Sequence, residues 1–341
     1  MTKLLLCVCL LFGLNGLAWA QDATDAPVFP FTNLAELIRY LDGQAAANRF
    51  SGVVWVAQNG QPKLTIAYGM ANKAKAIPNT VNTRFDLGSI TKVMTKVAVL
   101  QLVERGKIKL DDPLSKYLPQ FPREIADKVT IRHLLDHRSG YGDLITREFR
   151  QRRNEIRTVA AHLELLKTHK LQFEPGAQEQ YSPAGYVILG GVIEAASQQS
   201  FDAYLQQHIF KPAGMKDSGF PDFDKLDQRT ATGYTNERGG ADFSQTNLGF
   251  HTIRGTPAGR NVSTAADLLK FDRALRGGKL LGAEFTRQLA PSRRAYAGGM
   301  AGVSAVLLAD DSIGLTVVVL SNYDEPFGEQ LGQAIFKMLS Q

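Results

Sequence analysis

Leu87-Gly88-Ser89-Ile90-Thr91-Lys92-Val93-Met94-Thr95-Lys96-Val97 is the stretch from which the rest of the chain is read. Ile90, Val93, Met94 and Val97 follow the i, i+3, i+4, i+7 spacing of one helix face, which predicts a buried helix opening near Ser89. A serine hydroxyl is a weak nucleophile at neutral pH and needs a base beside it. Residues three apart share a helix face, so the Lys92 amine can reach the Ser89 hydroxyl. Gly88 suits a backbone that turns sharply and leaves room for a ligand. Taken alone, Ser-x-x-Lys is a weak pattern, and Ser89 reads more simply as a helix N-cap.

On the N-terminal side, two β-rich runs, Gly52 to Ala57 and Lys63 to Tyr68, flank Asn59-Gly60, a strong hairpin signal. An amphipathic helix is expected near Leu34 to Asn48. On the C-terminal side, Pro and Gly punctuate a run of helices: Ile131 to His137, Ala184 to Ala196, Phe201 to Phe210, and Ala265 to Leu275 capped by Ser263 or Thr264. The chain then returns to strands at Val303 to Leu308 and Leu315 to Leu320, and a helix near Gly328 to Leu339 follows. Strand pairs near both ends with helices between them predict an α+β fold. Its α/β domain is split between residues 21–103 and 240–341, and a helical domain covers 104–239.

Met1-Thr2-Lys3, an apolar run from Leu4 to Leu14 and Ala18-Trp19-Ala20 read as a secretory signal peptide over residues 1–20. The run is too short for a stable span, and no later stretch is long and apolar enough to replace it, so no stable membrane insertion is expected after cleavage. Both cysteines, Cys7 and Cys9, fall in that segment, with too little apolar sequence before either for a lipoprotein. A periplasmic or secreted protein without disulfides is the expectation. Lys and Arg number 39 against 33 Asp and Glu, a mild basicity spread along the chain. Arg147, Arg150, Arg152, Arg153 and Arg157 cluster, which reads first as a solvated helix face. No nucleic-acid module accompanies them, so no nucleic-acid partner is expected.

Several passages occur together in a telling order: Gly88-Ser89-Ile90-Thr91-Lys92, Lys109-Leu110-Asp111-Asp112-Pro113-Leu114, Leu134-Leu135-Asp136-His137-Arg138-Ser139-Gly140, Phe173-Glu174-Pro175-Gly176, Tyr181-Ser182-Pro183 and Gly255-Thr256-Pro257-Ala258-Gly259. In these the chain resembles the serine β-lactamase and penicillin-binding protein superfamily, on the branch of class C β-lactamases, D-alanyl carboxypeptidases and family VIII esterases. The resemblance runs from about Phe31 onward. It implies a β-lactamase/transpeptidase-like fold, an antiparallel sheet flanked by helices with a mainly helical second domain. It also implies that Ser89 is the nucleophile, Lys92 its base or charge partner, and Tyr181 a proton relay. The Ser89 N–H would be one oxyanion donor and the strand at Gly298-Gly299 the second. Tyr296 would occupy the substrate-binding place of the family's third motif.

Two departures qualify the picture. Pro183 stands where the family has asparagine and offers neither an amide side chain nor a backbone N–H. Tyr296-Ala297-Gly298 replaces Lys-Thr-Gly or His-x-Gly, within a residue or two of register, so a carboxylate-bearing β-lactam loses a charged partner worth roughly 1.5–3 kcal/mol. Arg293 or Arg294 would be the compensating cation. Lys96, a turn beyond Lys92, is expected to face solvent. His133 and His137 stand at i, i+4, but no glutamate follows the first and no third ligand is evident, so no metal is expected. No organic cofactor is called for either. The reading is a serine hydrolase acting on a small ester, amide or peptide through an acyl-enzyme. The rival is a catalytically weakened binding protein of the same fold that recognises cell-wall peptide or an acyl ligand.

Overall fold

The computed structural model describes residues 29–236 and 242–341; the expected signal peptide lies outside them. Asn59 and Gly60 have φ of 49° and 77°, the left-handed pair that a type I′ turn requires. They join β1 (Gly52–Gln58) to β2 (Gln61–Tyr68). Three later strands complete the sheet: β3 (Arg293–Met300), β4 (Val303–Asp310) and β5 (Leu315–Ser321). The order is β2-β1-β5-β4-β3, antiparallel throughout. β1 and β5 pair from Gly52↔Ser321 to Gln58↔Leu315, so early and late segments of the chain meet in the middle of one sheet.

The helices that matter for the site are α1 (Leu34–Ala46), α2 (Thr91–Glu104), α3 (Ile131–Leu135), α4 (Arg147–Arg152), α5 (Pro183–Ser197), α6 (Ala265–Arg276) and α7 (Phe327–Leu339). Val54, Val56, Val306, Leu308, Val317 and Val319 share a core with Leu37 and Leu41 of α1 and Leu331 and Ile335 of α7. Val53, Ala305, Leu307, Val318 and Leu320 belong to a second core, with Met94 and Val97 of α2 and Leu268 and Phe271 of α6. A sheet covered on both faces needs apolar side chains at consecutive positions. That is why Ala305 to Leu308 and Val317 to Leu320 read as unbroken apolar runs. Gly332 lets α7 lie close on β4, since a Cβ there would sit 2.5 Å from Val306 Cγ1.

The regular elements described between β2 and β3 are mostly helices, and the whole is an antiparallel sheet flanked by helices, an α+β arrangement. Two helices are shorter than their periodicity suggests. The 131–137 segment stops at Leu135, and 201–210 divides into an α-helix, Phe201–Leu205, and a π turn, Gln206–Phe210. Pro212 has no N–H to give the His208 carbonyl, which accepts from Gln101 Nε2 at 3.1 Å instead. No helix among the described residues is long and apolar enough to cross a membrane.

Candidate active site

The chain enters the site through Phe85-Asp86, a short strand paired with Val262-Ser263. Asp86 Oδ1 accepts the Gly88 N–H at 2.9 Å and Oδ2 accepts Arg260 Nε at 2.8 Å. Gly88 has φ +50°, and a Cβ there would lie 3.1 Å from Gly298 C and 3.2 Å from Gly299 N, so glycine answers both a backbone need and a close approach. Gly88–Ile90 form a 3-10 turn that leads into α2. Ser89 is therefore not the helix N-cap. Its hydroxyl turns toward two other side chains.

Lys92 Nζ donates to Ser89 Oγ at 2.9 Å, and Ser89 Oγ lies 2.5 Å from Tyr181 Oη. The Lys92 ammonium is buried and also donates to the Ala258 carbonyl at 2.5 Å. It faces the rings of Tyr181 and Tyr186 at 4.8 and 5.9 Å, cation–π contacts that favour the charge inside the fold. The loop around Thr256-Pro257-Ala258-Gly259 holds this turn in place. Thr95 Oγ1 donates to Pro257 O at 2.7 Å and Thr91 Oγ1 to Asn261 Oδ1 at 2.5 Å. Gly190 of α5 leaves the space that the Pro257 ring fills.

Tyr181 precedes α5, whose N-cap is Ser182, with Ser182 Oγ accepting the Gly185 N–H at 3.0 Å. Pro183 is the first helical residue, where a missing N–H has no partner to lose. His137 borders the same segment. Its carbonyl accepts Gln180 N–H at 2.8 Å and its Nδ1 accepts Ser182 N–H at 3.1 Å. Its ring centroid lies 4.9 Å from that of Tyr181 and 5.0 Å from that of Tyr186. Burial first, then the charges of Lys92 and Lys96, hold its pKa down at about 3.

Strand β3 lies against the nucleophile turn. A Cβ on Gly298 would be 2.6 Å from Ser89 N and 3.0 Å from Ile90 N, so the backbone of Gly298 and Gly299 borders the Ser89 N–H. Tyr296 is different. Its side chain is buried in the core and its hydroxyl donates to the Leu289 carbonyl at 3.0 Å. Alternation along β3 puts Tyr296 in the core, so the expected substrate contact from its side chain is corrected. The expected cation is corrected too. Arg294 is buried and bidentate on Asp272, at 2.6 Å to each oxygen, with Asp311 at 3.0 Å, and Arg293 lies over the Phe336 ring of α7.

Three further expectations meet the geometry. Lys96 is partly buried rather than turned to solvent, and burial lowers its pKa against the pull of Asp136 and Glu179. His133 Nδ1 accepts Thr130 N–H at 3.3 Å in a capping box, so with His137 each Nδ1 already holds a backbone N–H. Arg147, Arg150 and Arg152 lie exposed on α4, with Arg152 near Glu148 and Glu155, while Arg157 pairs with Asp224 at 2.6 Å. Sequence reasoning missed Asp86, Arg260 and the use made of His137. The one available signal was an acidic residue two places before a glycine that must turn.

Known proteins resemble this chain in sequence and fold. The profile of the family described as Beta-lactamase matches residues 37–298. A putative penicillin-binding protein, PbpX, of Bacillus subtilis (strain 168) is 33% identical over 234 residues, 68% of this chain and 56% of that protein. Esterase EstB of Burkholderia gladioli is 34% identical over 201 residues, 54% of this chain and 51% of the esterase. The chain thus spans about half the length of these two curated relatives. Among solved structures, a penicillin-binding protein from Bacillus halodurans superposes with a TM-score of 0.77 at 30% identity, covering 88% of this chain and 99% of that one.

Proposed function

Because the chain belongs to the β-lactamase family of serine hydrolases, we propose that it is a secreted or periplasmic acyl hydrolase that cleaves small esters or amides through an acyl-enzyme on Ser89. The observation that carries this reading is the convergence of an amine, a hydroxyl and a phenol, with Lys92 and Tyr181 at 2.9 and 2.5 Å from Ser89 Oγ. Both distances lie near the hydrogen-bond range a proton transfer needs.

In this mechanism Ser89 Oγ attacks the substrate carbonyl carbon while its proton passes to Tyr181, whose phenolate form the Lys92 ammonium stabilises. The carbonyl oxygen becomes an oxyanion, held by the N–H of Ser89 and of Gly299. Collapse breaks the bond to the leaving alcohol or amine, which takes the proton from Tyr181. Water then gives a proton to Tyr181 and attacks the acyl carbon; the bond from that carbon to Ser89 Oγ breaks, the carboxylic acid leaves, and Tyr181 returns the proton to Oγ.

The cleft chemistry favours uncharged acyl groups over carboxylate-bearing β-lactams. Arg294 is held by two carboxylates and the Tyr296 hydroxyl by a carbonyl, so neither serves a substrate carboxylate. The esterase relative supports ester hydrolysis as one activity of this site.

The test is turnover of a panel of p-nitrophenyl esters, D-alanyl anilides and nitrocefin by wild type and Ser89→Ala. Hydrolysis of short esters that vanishes in the variant supports the reading, with nitrocefin the slowest substrate. A folded wild type inert toward the whole panel supports the binding-protein alternative instead.

A further inference from the structure

The helix α3 ends in a Schellman motif, with His137 N–H directed to Leu134 O at 3.4 Å and Arg138 N–H to His133 O at 2.7 Å. His137 is the C′ residue of that motif and has φ +55°. Glycine is the favoured occupant there, because a side chain in the left-handed region costs about 1–2 kcal/mol. An imidazole stands where glycine would end the helix more easily. Its contacts supply a reason.

His137 grips the chain on both sides of Tyr181: the carbonyl takes the Gln180 N–H, and ring Nδ1 takes the Ser182 N–H. The ring also fills the space between Tyr181 and Tyr186. An Nδ1 that accepts carries no proton, so the neutral ring holds its hydrogen on Nε2. A doubly protonated ring would turn that acceptor into a donor and push the Ser182 N–H away. The low pKa of His137 keeps the accepting form in place across the neutral range. Pro183, without the amide that the family places there, contributes no side-chain hydrogen bond to this segment.

We infer that His137 is a positioning residue for the proton relay, fixing the Gln180-Tyr181-Ser182 segment so that the Tyr181 hydroxyl stays within reach of Ser89 Oγ. The inference rests on the reading of Tyr181 as the proton carrier.

Two substitutions separate this role from a structural one. His137→Gly suits the left-handed backbone, which offsets part of the stability lost with the acceptor and the ring, and circular dichroism verifies that the variant is folded at the assay temperature. The expected result is a kcat about 10²-fold lower with KM little changed, the scale of an ångström of misplacement. His137→Asn tolerates the same backbone and keeps an acceptor at the δ position, and should recover most of the loss. Wild-type kcat in His137→Gly, or an Asn variant no better than the Gly variant, overturns the inference. Ser89→Ala run alongside distinguishes the two readings. Turnover that survives it contradicts the assignment of Ser89, whereas turnover abolished by it but unchanged in His137→Gly contradicts only the positioning role.

Discussion

Arg260 Nε lies 2.8 Å from Asp86 Oδ2 in an ion pair sealed under the nucleophile turn, the two side chains 3% and 7% exposed. The other Asp86 oxygen holds the Gly88 N–H, and the Arg260 guanidinium stacks 3.6 Å above the Phe223 ring. The pair ties the turn bearing Ser89 to the loop that accepts the Lys92 ammonium.

Breaking that pair from one side leaves a buried charge unpaired. Asp86→Asn keeps an oxygen for Gly88 but strands the guanidinium, and should cost about 3–5 kcal/mol of stability. Urea unfolding measures it. An unchanged midpoint and slope would show that the pair carries no such weight.

Gly298→Ala would place a methyl group against Leu87 O and Ser89 N. The expected cost is about 1–3 kcal/mol from overpacking. Acylation should slow as well, because the strand backbone moves away from the Ser89 N–H. A thermal melt and a pre-steady-state burst report the two effects separately. Normal values for both would contradict the close approach of β3.

Burial holds His137, His162 and His251 at pKa values of about 3, 4 and 3. In the unfolded chain each returns to about 6.5. Between those values the unfolded state binds more protons, so stability rises with pH. It is therefore fully present above about pH 6.5 and is lost as pH falls toward 4, by up to about 1.4 kcal/mol per pH unit for each histidine. Unfolding free energies at pH 7.5, 6.0 and 5.0 test the sign. Stability that is flat or rising on acidification would be inconsistent with three buried neutral imidazoles.

Arg294→Ala should destabilise the protein strongly, since Asp272 is then buried without its partner. It should not alter the KM ratio between a succinyl and an acetyl p-nitrophenyl ester. A selective rise in KM for the succinyl ester would place the guanidinium in the cleft after all.

The parts of the fold readable from sequence are those with local causes. Asn59-Gly60 announces its own turn, and the apolar runs within 303–308 and 315–320 announce strands. The place of Ser89 and Lys92 follows from helix spacing, whereas Tyr181 was found only through the order of passages along the chain. What stayed hidden is set by long-range contacts. Tyr296 and Arg294 are polar residues on a strand, and only the alternation of β3 against Leu289 and Asp272 reveals that both face the core. His137 looks like half of a metal motif until the segment around Tyr181 is laid against it, and nothing local in Asp86 points to Arg260.

The most direct test of the three-residue relay is the acylation burst of wild type, Lys92→Met, Tyr181→Phe and the double variant with a chromogenic ester. Groups that move one proton together lose their effect together, so the double variant should be about as slow as the slower single one, each single falling about 10²–10⁴-fold. A Tyr181→Phe burst at the wild-type rate would contradict the account.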